Sequence, residues 1–158
     1  IKTIAKNKSK VVHCPISNMK LASGGVMPLV EMWESEIDVG LGTDSVASNN
    51  NLDMFEEMKV CSLLHKHHRW DPKAVPVQKV LDMATITGAK ILGMENTIGS
   101  IEIGKQADII TISINDHINT EKLLSSLIYS INGNDVCDVM VNGHIRVKNK
   151  KYNENHAF

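Results

Sequence analysis

Two short apolar runs, Lys10-Val11-Val12-His13-Cys14 and Asp38-Val39-Gly40-Leu41-Gly42, are separated by a helical stretch from about Met27 to Trp33. Strand, helix and strand at that spacing predict a βαβ unit with a parallel sheet. Pro15 closes the first run because proline cannot donate to a strand ladder. A parallel pair directs both strand ends to the same side, so whatever follows Cys14 and Gly42 shares one rim.

The next segment, from Asn51 to about Met94, carries a helical pattern. Asp53 followed by Glu56 predicts a capping box. Met54, Met58, Cys61 and Leu64 recur at helical spacing and are expected to face a core. Pro76 suits a helix start, and Val77 to Gly93 reads as one or two helices, with Gly88 a break and Gly93 a stop. From Gly99 the texture turns to β-branched residues, Ile101, Ile103, Ile109, Ile110, Ile112 and Ile114, with a turn at Gly104-Lys105. Val136–Val141, Asn142-Gly143 and His144–Val147 predict a hairpin, because Asn-Gly accepts the positive φ of a type I′ turn. The polar end, Lys148 to Phe158, is expected to fray.

Composition narrows the function classes. Seventeen Lys+Arg against eighteen Asp+Glu leave a net charge of -1, which gives no basic excess for nucleic acid. No apolar run approaches the roughly 20 residues of a membrane span. Three scattered cysteines, Cys14, Cys61 and Cys137, fit a reducing, cytoplasmic setting rather than a disulfide scaffold. The start IKTIAKNKSK lacks the apolar core of a secretory signal, and a chain opening on Ile1 reads as a piece of something longer.

Chemistry concentrates at Gly40-Leu41-Gly42-Thr43-Asp44-Ser45. A carboxylate just past a buried strand, among glycines, can ligate a divalent metal and take a proton from its water; Asp44 could equally cap its own loop. Three consecutive asparagines, Asn49 to Asn51, serve as turn formers or hold the Asp44 loop. His13 either faces the same pocket or sits in the core bonded to backbone. Cys14 has no base partner nearby in sequence and makes a poor nucleophile. His65-Lys66-His67-His68-Arg69 resembles a metal tract, but cations at a helix end also complement the helix dipole.

Taken together and in order, HCPISNMKLASGGVMP, VGLGTDSVASNNNLDMFEEMK, LDMATITGAKILGM, GSIEIGKQADIITI and VMVNGHIRVKN resemble the C-terminal part of the amidohydrolase superfamily. The nearest group is the 5′-methylthioadenosine/S-adenosylhomocysteine deaminases, and the resemblance runs from about Val11 to Val147. It implies an α/β fold: the last strands and helices of a metal-dependent (β/α)8 TIM barrel over residues 1–94, and part of a small β-sandwich domain over 95–158. His13 then ends strand seven and Asp44 strand eight. Asp44 is implied as catalytic residue and metal ligand, with Ser48 and His13 as substrate contacts. One departure is Ser45, where the family usually has glycine.

The implied cofactor is one divalent metal, zinc ahead of iron. The family's His-x-His, its two further histidines and its acid/base glutamate are not in this sequence, and one carboxylate cannot hold a catalytic zinc alone. Two strands likewise cannot close a barrel. The expected partners are therefore the missing N-terminal part of the same protein, a nucleoside substrate and, when intact, further copies in a homo-oligomer. Two other readings stay open: an aminohydrolase acting on guanine or a triazine, and a non-catalytic chain that associates through open strand edges.

Overall fold

A computed structural model of the chain describes residues 1–114 and 118–153. A short helix α1 (Lys2–Lys6) leads into β1 (Val11–His13). Pro15 then opens a helix, α2 (Pro15–Lys20), at a first-turn position where its missing N–H costs nothing. Helix α3 (Leu29–Glu34) crosses to β2 (Val39–Leu41), which pairs with β1 in parallel, Val11 opposite Val39 and His13 opposite Leu41. The βαβ expectation holds, with α2 as an unforeseen second helix in the crossover. Pro15 ends the strand and starts the helix with the same fixed φ.

Beyond β2, the short α4 (Val46–Asn49) is capped by the Ser45 hydroxyl, and the long α5 (Met54–Arg69) by the Asp53 carboxylate. Asp53 accepts from the amides of Phe55 and Glu56, but Glu56 turns to Asn51 instead of completing the expected box. α5 lays Phe55, Met58 and Cys61 into a core with Leu29, Val39 and Leu41. Leu64 is only half-buried, because the stripe drifts toward Ser62 and His65. Two helices follow, α6 (Val77–Ala84) and α7 (Ile86–Leu92). They break at Thr85, not Gly88; the backbone there leaves the helical region at φ -127 and ψ -99, while Gly88 lies inside α7. Gly93 does end α7, in the left-handed conformation.

The C-terminal portion is less β-rich than its isoleucines suggest. Of these isoleucines only those in Ile109–Ile112 form a strand, β3, while Ile101 and Ile103 lie exposed outside any strand. Leu123–Tyr129 is a helix, α8, whose Ile128 is fully buried against the same core as Leu29 and Val39. The hairpin forms as expected: β4 (Val136–Val141) and β5 (His144–Lys148) are joined by Asn142 and Gly143, both at positive φ. Lys151–Tyr152 adds a short β6, giving an antiparallel order β3-β4-β5-β6, so part of the segment expected to fray is paired. Residues 154–158 of that segment lie outside the described residues.

Candidate active site

Asp44 stands three residues past the end of β2, exposed, with φ 60. Left-handed backbone is uncommon for aspartate and is held here by side-chain contacts. One carboxylate oxygen, Oδ2, accepts from the Ser17 hydroxyl at 2.7 Å. The other, Oδ1, accepts from the Ser45 amide at 2.8 Å. Bonds from Ser17, from the Ser48 hydroxyl and from the Ser45 amide hold the carboxyl below the usual carboxylate range, so it is anionic at neutral pH. Ser48 also donates to the Ser45 carbonyl at 3.0 Å, in the first turn of α4 beside Asp44.

Beneath this rim is a buried polar network. Glu57, on α5, is fully buried. Its Oε1 accepts from Asn49 Nδ2 at 2.5 Å and its Oε2 from the Ile16 amide at 3.3 Å. The same Asn49 nitrogen donates to the Thr43 carbonyl at 2.6 Å, one residue before Asp44. Burial pushes the Glu57 carboxyl up, against the pull of these donors. One member of the asparagine tract thus ties the Asp44 loop to the core, and Asn51 bonds Glu56 at the surface.

His13, read at the sequence level as a pocket-facing substrate contact or as a core histidine, takes the core position. It is 1% exposed, and its Nε2 lies 3.1 Å from Nε2 of His65, so its partner is a side chain and not backbone. The ring points to α5 because His13 alternates with the exposed Val12 along β1. His65 therefore leaves the cationic tract, whose other members fill the last turn of α5. Lys66 there bonds the Tyr129 hydroxyl and Arg69 pairs with Glu31.

His13, Cys61 and His65 bring three ligand atoms within 4.8 Å of one another. Burial holds both imidazoles down at about 4, and burial with the Glu57 charge pushes the Cys61 thiol up to about 12. The two imidazoles share one Nε2···Nε2 hydrogen bond beside the Cys61 thiol, while the buried Nδ1 of His13 has no partner among the described residues; metal binding here would need the Cys61 thiolate. Burial first, then the Asp44 and Glu57 charges, pushes the Cys14 thiol up, which disfavours the thiolate a nucleophile needs. Asp44 belongs to no group of three or more candidate ligands among the described residues.

Sequence reading did not single out Ser17, Glu57 or His65 for these roles. A signal existed for two of them: Glu57, Cys61 and His65 follow each other at intervals of four, a polar line along the buried side of α5. A cavity of about 540 Å³ lies elsewhere, an apolar groove between β1, α7 and β3 that Asp44 does not line.

The family described as "Amidohydrolase family" matches residues 1–146. A 5'-deoxyadenosine deaminase of Methanobrevibacter smithii is 44% identical over 154 residues, covering 96% of this chain and 35% of that protein. A 5-methylthioadenosine/S-adenosylhomocysteine deaminase of Bacillus cereus is 48% identical over 143 residues, covering 89% and 32%. The crystal structure of an adenosine deaminase from Xanthomonas campestris with bound zinc superposes with a TM-score of 0.87 at 37% identity, covering 92% of this chain and 33% of that one. The chain thus spans about a third of the length of the relatives it matches.

Proposed function

Because the chain belongs to the amidohydrolase family, we propose that it forms the last third of a metal-dependent aminohydrolase that deaminates adenosine-type nucleosides at C6. Its β1–β2 pair takes the place of the last two strands of a (β/α)8 barrel, and its four-stranded sheet belongs to a small β domain. The remaining strands and metal ligands lie outside this chain. The observation that carries the reading is the anionic, exposed Asp44 carboxylate at the C-terminal end of a parallel strand, where such barrels place their chemistry.

The residues fit a divalent metal as far as they go. Asp44 offers a hard anionic oxygen, as zinc and iron sites accept, with Ser17 and the Ser45 amide fixing its orientation. When bound, the metal supplies the acidity that makes water a nucleophile at neutral pH. Asp44 takes the proton of the attacking water, and the acid that protonates the departing ammonia comes from outside this chain. Ser48 stands beside Asp44 as a nucleoside contact. His13 acts from below, bracing β1 to α5 through His65. No helix among the described residues is long and apolar enough to cross a membrane. The three free cysteines fit a reducing compartment, and we place the protein in the cytoplasm, as a homo-oligomer when intact.

In the intact protein Asp44→Asn keeps the shape but removes a charged ligand and base. Turnover, measured as ammonia released from adenosine or 5′-methylthioadenosine, is expected to fall at least ~10²-fold. Full turnover by this variant would defeat the assignment. A panel adding guanine and a triazine separates the nucleoside reading from its closest rival.

A further inference from the structure

We infer that Glu57 is a positioning residue for the Asp44 carboxylate, gripping both chain segments that orient it through Asn49 and through the Ile16 amide. The inference rests on the reading of Asp44 given above.

Two features set Glu57 apart from an ordinary core residue. It is a carboxyl group with no exposed surface, on the apolar side of a helix, a placement that costs free energy unless every lone pair is used. Each of its oxygens is used, and each leads to Asp44. From Oε1 the path runs through Asn49 Nδ2 to the Thr43 carbonyl, the residue before Asp44. From Oε2 it runs through the Ile16 amide to α2, whose next residue, Ser17, donates to Asp44 Oδ2. The two paths close a ring: α5 holds Asn49 and α2, Asn49 holds the loop, and α2 holds the carboxylate.

An apolar residue of similar size would fill the same space, but it would leave the Ile16 amide without its acceptor and the Asn49 amide free to turn. The Asp44 loop would then lose its anchor at Thr43. Asp44 gains from that anchor, because its backbone sits at φ 60, a left-handed conformation that aspartate adopts only as a minority state. Its side chain is exposed, so no packing fixes it in place of the hydrogen bonds.

The test uses the whole enzyme and three readouts: kcat and KM for deamination, metal affinity by competition with a chelating dye, and thermal midpoint. Glu57→Gln presents one acceptor where two are needed and turns an amide N–H2 toward a donor. We expect kcat and metal affinity each to fall by about 10–100-fold, the range for residues that orient a metal ligand, with KM changed little. Glu57→Gln combined with Asn49→Asp separates positioning from folding. The new pair can bond to each other, but a carboxylate at position 49 has no N–H for the Thr43 carbonyl. This double variant is expected to regain the thermal midpoint while kcat and metal affinity stay low, and it carries the test if the single variant does not fold.

Unchanged kcat and metal affinity in Glu57→Gln overturns the inference. So does a double variant in which all three readouts recover together, since Glu57 would then serve the fold alone. If Asp44→Asn itself leaves turnover and metal affinity intact, the functional reading fails and takes this one with it. Loss in Asp44→Asn with none in Glu57→Gln removes only the positioning role.

Discussion

The His13–His65 pair gives this fold a pH dependence of its own. Both imidazoles are held down at about 4, in each case by burial first; His65 adds to the effect on His13, and His68 with Arg69 to that on His65. An unfolded chain takes up these protons near 6.5, whereas the folded pair resists them until about 4. Stability is therefore fully present above 6.5 and is lost as pH falls toward 4. At about 1.4 kcal/mol per pKa unit, moving the whole protein from pH 7 to pH 5 should cost about 2 kcal/mol per histidine, read from urea midpoints. His65→Gln removes one titrating group and should flatten the slope; a wild-type protein equally stable at both pH values would contradict the assignment. Single residues were the least legible level of the sequence. Asp44 stood out because glycines and a strand end announce it, and Asn49 because three asparagines in a row are conspicuous. Glu57 and Ser17 did not, because a carboxylate in a long helix and a serine after a proline look like solvated surface until the fold brings Ile16, Asn49 and Asp44 to them.

Helix α5 is the element on which the site hangs, and its first turn does more than start a helix. Asp53 accepts from Phe55 and Glu56 within the helix, and its Oδ2 also accepts at 2.8 Å from the amide of Gly133, far along the chain. The same carboxylate therefore caps α5 and ties it to the turn before β4. Asp53→Ala should lower the stability of the whole protein by about 1–2 kcal/mol, as N-cap removal does, with the urea midpoint shifted and the slope unchanged. Asp53→Asn keeps an acceptor and should recover most of the loss. A midpoint unmoved by Asp53→Ala would mean that packing alone holds this end. Elements were legible where local chemistry decides them: the β1–β2 unit, α5, and the Asn142-Gly143 hairpin each carry their own signal. They were illegible where packing overrides propensity. Ile101 and Ile103 have the composition of a strand but no neighbouring strand to pair with among the described residues, whereas Leu123–Tyr129 forms a helix because Ile128 finds the core.

At the scale of the whole chain, the core and the outer surface pull in different directions. The interior is well formed, with Leu29, Val39, Cys61, Val80 and Ile128 fully buried. Yet β1 and β2 pair only with each other among the described residues, and Val12, between two inward-facing neighbours, is 53% exposed. The apolar groove of about 540 Å³ opens beside it, between Gly40, Ile91 and Ile110, and Ile101 at its edge is 83% exposed. Unpaired strand edges next to exposed apolar surface invite association with another chain. The 158-residue polypeptide studied by itself should therefore self-associate, its apparent mass by light scattering rising with concentration. Lysines introduced at Val12 and Ile110 put charge on that face without touching the Asp44 network, and they should shift the chain toward monomer. A chain that stays monomeric at all concentrations, with native-like melting, would mean that these edges are quiet and that the groove needs no cover.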